Sequence, residues 1–328
     1  MKKIFILLLC CHHLLSAQEE PKTIVASASM IADMTEQIVG DLHDVEMIVP
    51  IGGDPHLHEP TPSNARLVAR ADLILINGLT FEGWINELIE NSGTSAQVVT
   101  VTEDIQPLTS TTYANSADPH AWMDASKVIS YVESITRALV KLDPPNGSTY
   151  RRNALAYKNE LIQLDQDIEA AIAEIPAHKR VLITSHDAFQ YYGRRYGIRL
   201  EAIMGISTEA EAQTSDIRRV NKVIKENQVP AIFVESTINP KLIEQLAQDN
   251  KVSIGGELYA DSLGDEDSPA STYLDMMRYN TKTIVEALSK EIDLTTVPTG
   301  DGLNWQMIGF LIGILIVGII VTAKLINR

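Results

Sequence analysis

The chain has 328 residues, with 27 lysines and arginines against 43 aspartates and glutamates for a formal charge of −16. Such a length exceeds one ordinary domain and suits two, and the acidity excludes nucleic acid and anionic membrane surfaces as partners. Cys10 and Cys11 are the only cysteines, so thiolate chemistry is excluded everywhere past the extreme N-terminus.

Met1-Lys2-Lys3, the apolar stretch Ile4–Leu9 and Leu14-Leu15-Ser16-Ala17 before Gln18 read as a secretory signal over residues 1–17, cleaved after Ala17. Lipid attachment at Cys10 is the alternative, and the bulky Leu9 before it argues against that. Without cysteines the mature protein must stand on its hydrophobic core.

From Thr23 onward short β-like runs alternate with helical patterns: strands over Thr23–Ser27, Val45–Val49, Leu73–Ile76 and Gln97–Val101, and helices near Ile31–Val39, Ser63–Arg70 and Ala125–Leu142. This rhythm predicts an α/β lobe with a parallel sheet over residues 18–144. Between Pro145 and Pro176, Leu155, Leu161, Leu164, Ile168, Ile172 and Ile175 recur among charges, which predicts one long amphipathic helix, 145–176, linking two lobes. The rhythm then restarts over 177–290. Strands are expected at Arg180–Thr184, Arg199–Met204, Ala231–Glu235 and Val252–Ile254, with helices near Phe189–Tyr196, Ser215–Asn227, Pro240–Asn250 and Ser271–Lys290.

Residues 291–304 read as a polar tether. Trp305–Ala323 then carries no charge and is followed by Lys324 and Arg328. At about 1.5 Å per residue such a run crosses a hydrocarbon core of roughly 30 Å. Residues 305–323 are therefore expected to form a membrane helix, with 324–328 as a cytoplasmic tail and the body outside.

Of eight histidines, His12 and His13 lie in the signal. His43, in Asp-Leu-His-Asp, and His178, in Pro-Ala-His-Lys, look solvent-facing. The other four sit differently. His56 and His58 lie in Gly-Gly-Asp-Pro-His-Leu-His-Glu-Pro, His120 in Asp-Pro-His-Ala-Trp, and His186 in Thr-Ser-His-Asp-Ala-Phe. The repeated Asp-Pro-His triplet suggests one local geometry used twice, which favours His56 over His58. Asp261 follows the apolar Leu258-Tyr259, and each chosen residue follows a run that reads as a strand. In open α/β sheets such positions collect at the carboxyl ends of the strands, where three imidazoles and a carboxylate can close around one divalent metal. Glu235, ending an apolar strand, is expected to orient a ligand histidine. A metal-dependent hydrolase is the rival reading, but it wants an open ligand position and a free base, and no His-Glu-x-x-His is present. A surface adhesin on the same scaffold lacks any exposed sticky motif.

In order, Asp-Pro-His-x-His-Glu-Pro-Thr-Pro-Ser, Asp-Pro-His-Ala-Trp, Ser-His-Asp-Ala-Phe, Gly-Ile-Ser-Thr-Glu-Ala-Glu-Ala, Ile-Phe-Val-Glu-Ser and Asp-Ser-Leu resemble the TroA-like zinc- and manganese-binding receptors of ABC importers, over about Thr23 to Lys290. The resemblance implies two α/β lobes joined by a rigid helix, with metal held between them by His56, His120, His186 and Asp261. It also implies delivery to an ABC permease by a receptor expected to be monomeric outside the membrane, and no enzyme activity. His58 replaces the family's usual aromatic residue, so it is a candidate for an outer role at the metal. Such receptors are generally free or held by an N-terminal lipid, whereas this chain carries the C-terminal apolar run. The donor set favours Zn2+, and the resemblance supports it by the retained His186. The absence of a His-rich loop in Gln106–Ala117 leaves Mn2+ as the alternative.

Overall fold

A computed structural model describes residues 20–109, 116–209 and 211–290. The signal, the tether, the membrane helix and the cytoplasmic tail expected from the sequence lie outside the described residues. Among the described residues no helix is long and apolar enough to cross a membrane.

Two parallel arrangements organise the fold. The first sheet comprises β1 (Thr23–Ala26), β2 (Asp44–Met47), β3 (Leu73–Ile76) and β4 (Gln97–Thr100), in the order β2-β1-β3-β4. The second half pairs β5 (Val181–Thr184) with β6 (Arg199–Ala202), and β7 (Ala231–Glu235) with β8 (Ser253–Leu258). Because β5 also packs beside β7, the second half repeats the order of the first. All these pairings are parallel.

Strand alternation explains how each sheet serves two layers. Ile24, Ala26, Leu73 and Leu75 enter a core shared with Leu182, Phe233 and Leu258 of the second half. Their alternates Val25, Ile74 and Ile76 face an outer cluster with Ile85 and Leu88, while Val181, Ile183 and Ile232 face another with Val223 and Ile243. Strands apolar on both faces are what helix-covered parallel sheets require. The covering helices are α1 (Ser29–Val39), α2 (Pro62–Ala69), α3 (Ile85–Ser92) and α4 (Ala125–Leu142) in the first half, and α6 (Gln190–Tyr196), α7 (Thr214–Asn227), α8 (Lys241–Asn250) and α9 (Tyr273–Leu288) in the second.

Between the halves runs α5 (Gly147–Ala173), 27 residues and so about 40 Å long. It packs on α1 and α4 from one side of the sequence and on α6 and α9 from the other. Its buried stripe is Tyr150, Ala154, Tyr157, Leu161, Leu164, Ile168 and Ile172, a run at spacings of three and four. Leu155, which the sequence places on that stripe, is 59% exposed. Two tyrosines and an alanine supply the upper part of the seam instead. Asp165 on the same helix takes Arg195 Nε at 2.9 Å and the Tyr196 hydroxyl at 3.0 Å, which ties α5 to α6.

Other differences from the sequence reading have local causes. β8 runs past Ile254 through Gly255 and Gly256 to Leu258. A Cβ on Gly255 would stand 2.6 Å from the Phe233 ring, so glycine is what lets these two strands lie together. His43 is not solvent-facing. Its side chain is 6% exposed, and its Nε2 lies 3.0 Å from Asp143 Oδ2 and 3.0 Å from the Tyr150 hydroxyl. His178 is exposed, as read.

Candidate metal centre

His56, His120, His186 and Asp261 come together, each offering one donor atom, with all four donors within 4.8 Å of one another. They gather beyond the carboxyl ends of the strands, but the routes differ from the simple strand-end picture. His186 lies two residues past β5 and Asp261 three past β8. His56 sits nine residues beyond β2, in a turn whose Gly52 has φ 78°, the left-handed region that glycine enters without strain. Among the described residues, His120 does not directly follow a strand. It opens the 3-10 turn Ala121–Met123, and Asn77 at the end of β3 holds that approach by donating from Nδ2 to the Pro119 carbonyl at 3.0 Å.

The two Asp-Pro-His triplets do share a geometry. Asp54 Oδ1 accepts from the His56 main-chain N–H at 2.8 Å, and Asp118 Oδ1 accepts from that of His120 at 2.9 Å. Asp118 has a further task that sequence reasoning missed: its Oδ1 lies 2.8 Å from His120 Nδ1. Glu235 stands against His186 in a related way, with Oε2 2.6 Å from Nδ1 as a close charge contact and Oε1 accepting the His186 main-chain N–H at 2.8 Å. A carboxylate beside Nδ1 fixes the ring so that its other nitrogen is aimed inward, the usual support of a ligating histidine. Trp84 steadies the remaining ligand turn by donating from Nε1 to the Pro55 carbonyl at 2.8 Å. Phe81 closes an apolar wall 4.9 Å from the His56 ring.

Inside the cup, Asp261 Oδ2 is 3.0 Å from His186 Nε2 and 3.7 Å from His56 Nε2, and its Oδ1 is 3.4 Å from His120 Nε2. The Asp261 side chain is fully buried, yet neither oxygen has a partner with hydrogen-bond geometry. A buried carboxylate left in that condition is costly unless a cation completes it. The charge pattern agrees. Burial alone would raise the Asp261 carboxyl, but the His186 and His120 rings hold it well below the usual range. Burial opposes protonation of His120, but Asp118 and Asp261 outweigh it and push that ring up to about 9. His186 is likewise held well above 6.5, because Glu235 and Asp261 outweigh its burial. His56 has no such carboxylate at Nδ1, and burial, aided by the other two rings, pulls it down to about 3.

His58 stands outside this group. Its ring packs on Trp84 at 4.8 Å and its Nε2 lies 3.3 Å from Asn64 Oδ1, beside the α2 N-terminus.

A long helix seated between two α/β halves built on parallel strands, with a buried three-histidine, one-carboxylate cup, defines the class of helix-bridged α/β solute receptors. Within it, the chain belongs to the family described as zinc-uptake complex component A, periplasmic, whose sequence model matches residues 24–287. The manganese-binding lipoprotein MntA of Halalkalibacterium halodurans is 38% identical over 276 residues, 84% of this chain and 91% of that protein. The iron-binding protein YfeA of Yersinia pestis is 35% identical over 268 residues, 81% of this chain and 86% of that one. Among solved structures, the periplasmic zinc binding protein TroA from Treponema pallidum superposes with a TM-score of 0.79 at 34% identity, over 83% of this chain and 100% of that chain. The manganese-bound periplasmic metal binding protein from Candidatus Liberibacter asiaticus gives 0.75 at 31% identity, over 81% and 99%.

Proposed function

We propose that this chain is an extracytoplasmic receptor that captures one divalent transition-metal ion in the cup of His56, His120, His186 and Asp261 and hands it to an ABC permease. The observation that carries this reading is the fully buried Asp261 carboxylate, ringed by three imidazoles and without a hydrogen-bond partner. Residues 18–144 and 177–290 act as two lobes, with 145–176 as the member that joins them. The ion is cargo, and the chain's task is to strip water from it, hold it and release it. A hydrolase reading is disfavoured because four ligands fill a tetrahedral site, and the carboxylates near it, Asp118 and Glu235, are committed to His120 and His186.

Zinc is the first choice. Three nitrogens and one oxygen suit it, and it lies well above manganese in intrinsic affinity at nitrogen-rich sites. The relatives are named for zinc, manganese and iron, which makes manganese the second choice where zinc is scarce. Cells lacking this protein should lose uptake of radiolabelled zinc at chelator-buffered concentrations. The wild-type chain should restore it and the His120→Ala, His186→Ala double variant should not. Full uptake in cells carrying the double variant would contradict the reading.

The receptor is held at the membrane through Trp305–Ala323, the uncharged run before Lys324. Burying so long an uncharged run anchors far more firmly than one acyl chain. Truncation after Asn304 should therefore move the protein from the membrane pellet to the soluble fraction. Because MntA is named a lipoprotein, the informative contrary result is a truncated form that still pellets but is freed by Cys10→Ala.

A further inference from the structure

The motif Gly205-Ile206-Ser207-Thr208-Glu209 belongs to no strand or helix and supplies no candidate ligand. It nonetheless joins two ligand-bearing segments. At one end, the N–H of Asp187, directly after His186, donates to the Gly205 carbonyl at 3.1 Å, and the Met204 N–H donates to the Ser185 carbonyl at 2.8 Å. At the other end, Thr208 Oγ1 donates to Asp54 Oδ2 at 2.6 Å. Asp54 is the residue whose other oxygen accepts from the His56 main-chain N–H at 2.8 Å. A line of hydrogen bonds thus connects His186 of the second half to His56 of the first without passing through the cup.

We infer that the Thr208–Asp54 hydrogen bond is a latch that keeps His56 in the cup and thereby sets how slowly a captured ion leaves. The inference rests on the metal-receptor reading and concerns the kinetics of that same site. Both residues are positioning residues, outside the ligand set. Two features favour a latch over an incidental contact. Asp54 divides its oxygens between the ligand's own backbone and the opposite half, so movement of Thr208 is transmitted to His56 by one rigid carboxylate. The front of the same turn is held separately, with the Gly52 N–H donating to Ser262 Oγ at 2.8 Å beside Asp261. Loss of the Thr208 bond therefore frees the limb that carries His56 while the turn stays attached. A contact that steadies His56 from outside the ligand set is expected to act mainly on dissociation and to alter capture little, the usual division when an interface is weakened.

The test compares wild type with Thr208→Val, which keeps the shape and removes the donor, and Thr208→Ser, which keeps the donor. Zinc alone is the probe, and stopped-flow displacement by excess chelator reads the dissociation rate. A hydrogen bond to a carboxylate of this kind predicts about ten-fold faster release from Thr208→Val, with association within about two-fold, unchanged stoichiometry and wild-type release from Thr208→Ser. Release at the wild-type rate from Thr208→Val overturns the latch and leaves the receptor reading intact. Equally fast release from Thr208→Ser, or a fall in the melting temperature of metal-free Thr208→Val that accounts for the change, also overturns it, since the role would then be structural. A wild-type protein that takes up no zinc overturns both.

Discussion

Replacing His186 with alanine is expected to weaken zinc binding by more than 100-fold, and replacing Glu235 with glutamine by about 10- to 100-fold. The ordering follows from geometry. His186 offers its Nε2 to the cup, 3.0 Å from Asp261 Oδ2, whereas Glu235 touches only the far nitrogen and the main-chain N–H of His186. Loss of an orienting partner costs metal affinity in that 10- to 100-fold range, and loss of a donor removes a coordinate bond outright. Asp118→Asn should fall in the Glu235→Gln class, because it stands to His120 Nδ1 as Glu235 does to that of His186. His58→Ala, whose ring lies on Trp84 outside the cup, should change affinity little. Isothermal titration of residues 18–290 of each variant measures the series. If His58→Ala matched His186→Ala, or Glu235→Gln exceeded it, the assignment of inner and outer roles would be wrong.

Zinc binding at pH 7.5 should expel between one and two protons per ion, and affinity should keep climbing as pH rises toward 9. In the metal-free protein His120 titrates at about 9 and His186 well above 6.5, so both rings hold protons at neutral pH. A coordinating imidazole must give up the proton on its ligating nitrogen. His56, pulled down to about 3, is already neutral and contributes none. The sign for stability is the reverse. A ring whose folded pKa lies above its unfolded value of roughly 6.5 stabilises the fold below that pH, and this is lost as pH rises through the folded value. The metal-free protein should therefore lose melting temperature between pH 7 and 9 while the zinc-bound form does not. Titrations in buffers of different ionisation enthalpy count the protons. Binding that releases none, with affinity flat above pH 7, would contradict protonated rings in the empty cup.

The four ligand candidates were legible in the sequence because each sits in a short segment where glycine, proline or an apolar strand dictates the backbone. The Asp-Pro-His repeat was informative for the same reason, since an aspartate two residues before a histidine can satisfy that histidine's own N–H. What the sequence hid is non-local. His43 looks like a turn residue in Asp-Leu-His-Asp, and its partners Asp143 and Tyr150 lie about a hundred residues away. The Asp54–Thr208 contact likewise depends on how distant segments meet, whereas the second task of Asp118 lies within its own Asp-Pro-His triplet. Helix α3 carries helical spacing at Ile85, Leu88 and Ile89, but the run is short, so periodicity alone does not mark it. The strand expected to end at Ile254 runs on because Gly255 serves close packing on Phe233 and Gly256 on Thr283, not a turn. Leu155 was misplaced because a periodicity of leucines and isoleucines says nothing of tyrosines on the neighbouring stripe. The α/β alternation and the long helix survived these local errors, since they depend on many residues at once.

The most direct test is the zinc stoichiometry of residues 18–290, purified without added metal, stripped, and titrated beside the His120→Ala, His186→Ala double variant. One ion per chain for the wild type and none for the folded double variant is the predicted result. No binding by the wild type, or one ion per chain in both proteins, would contradict the cup of His56, His120, His186 and Asp261 as the place where the ion is held.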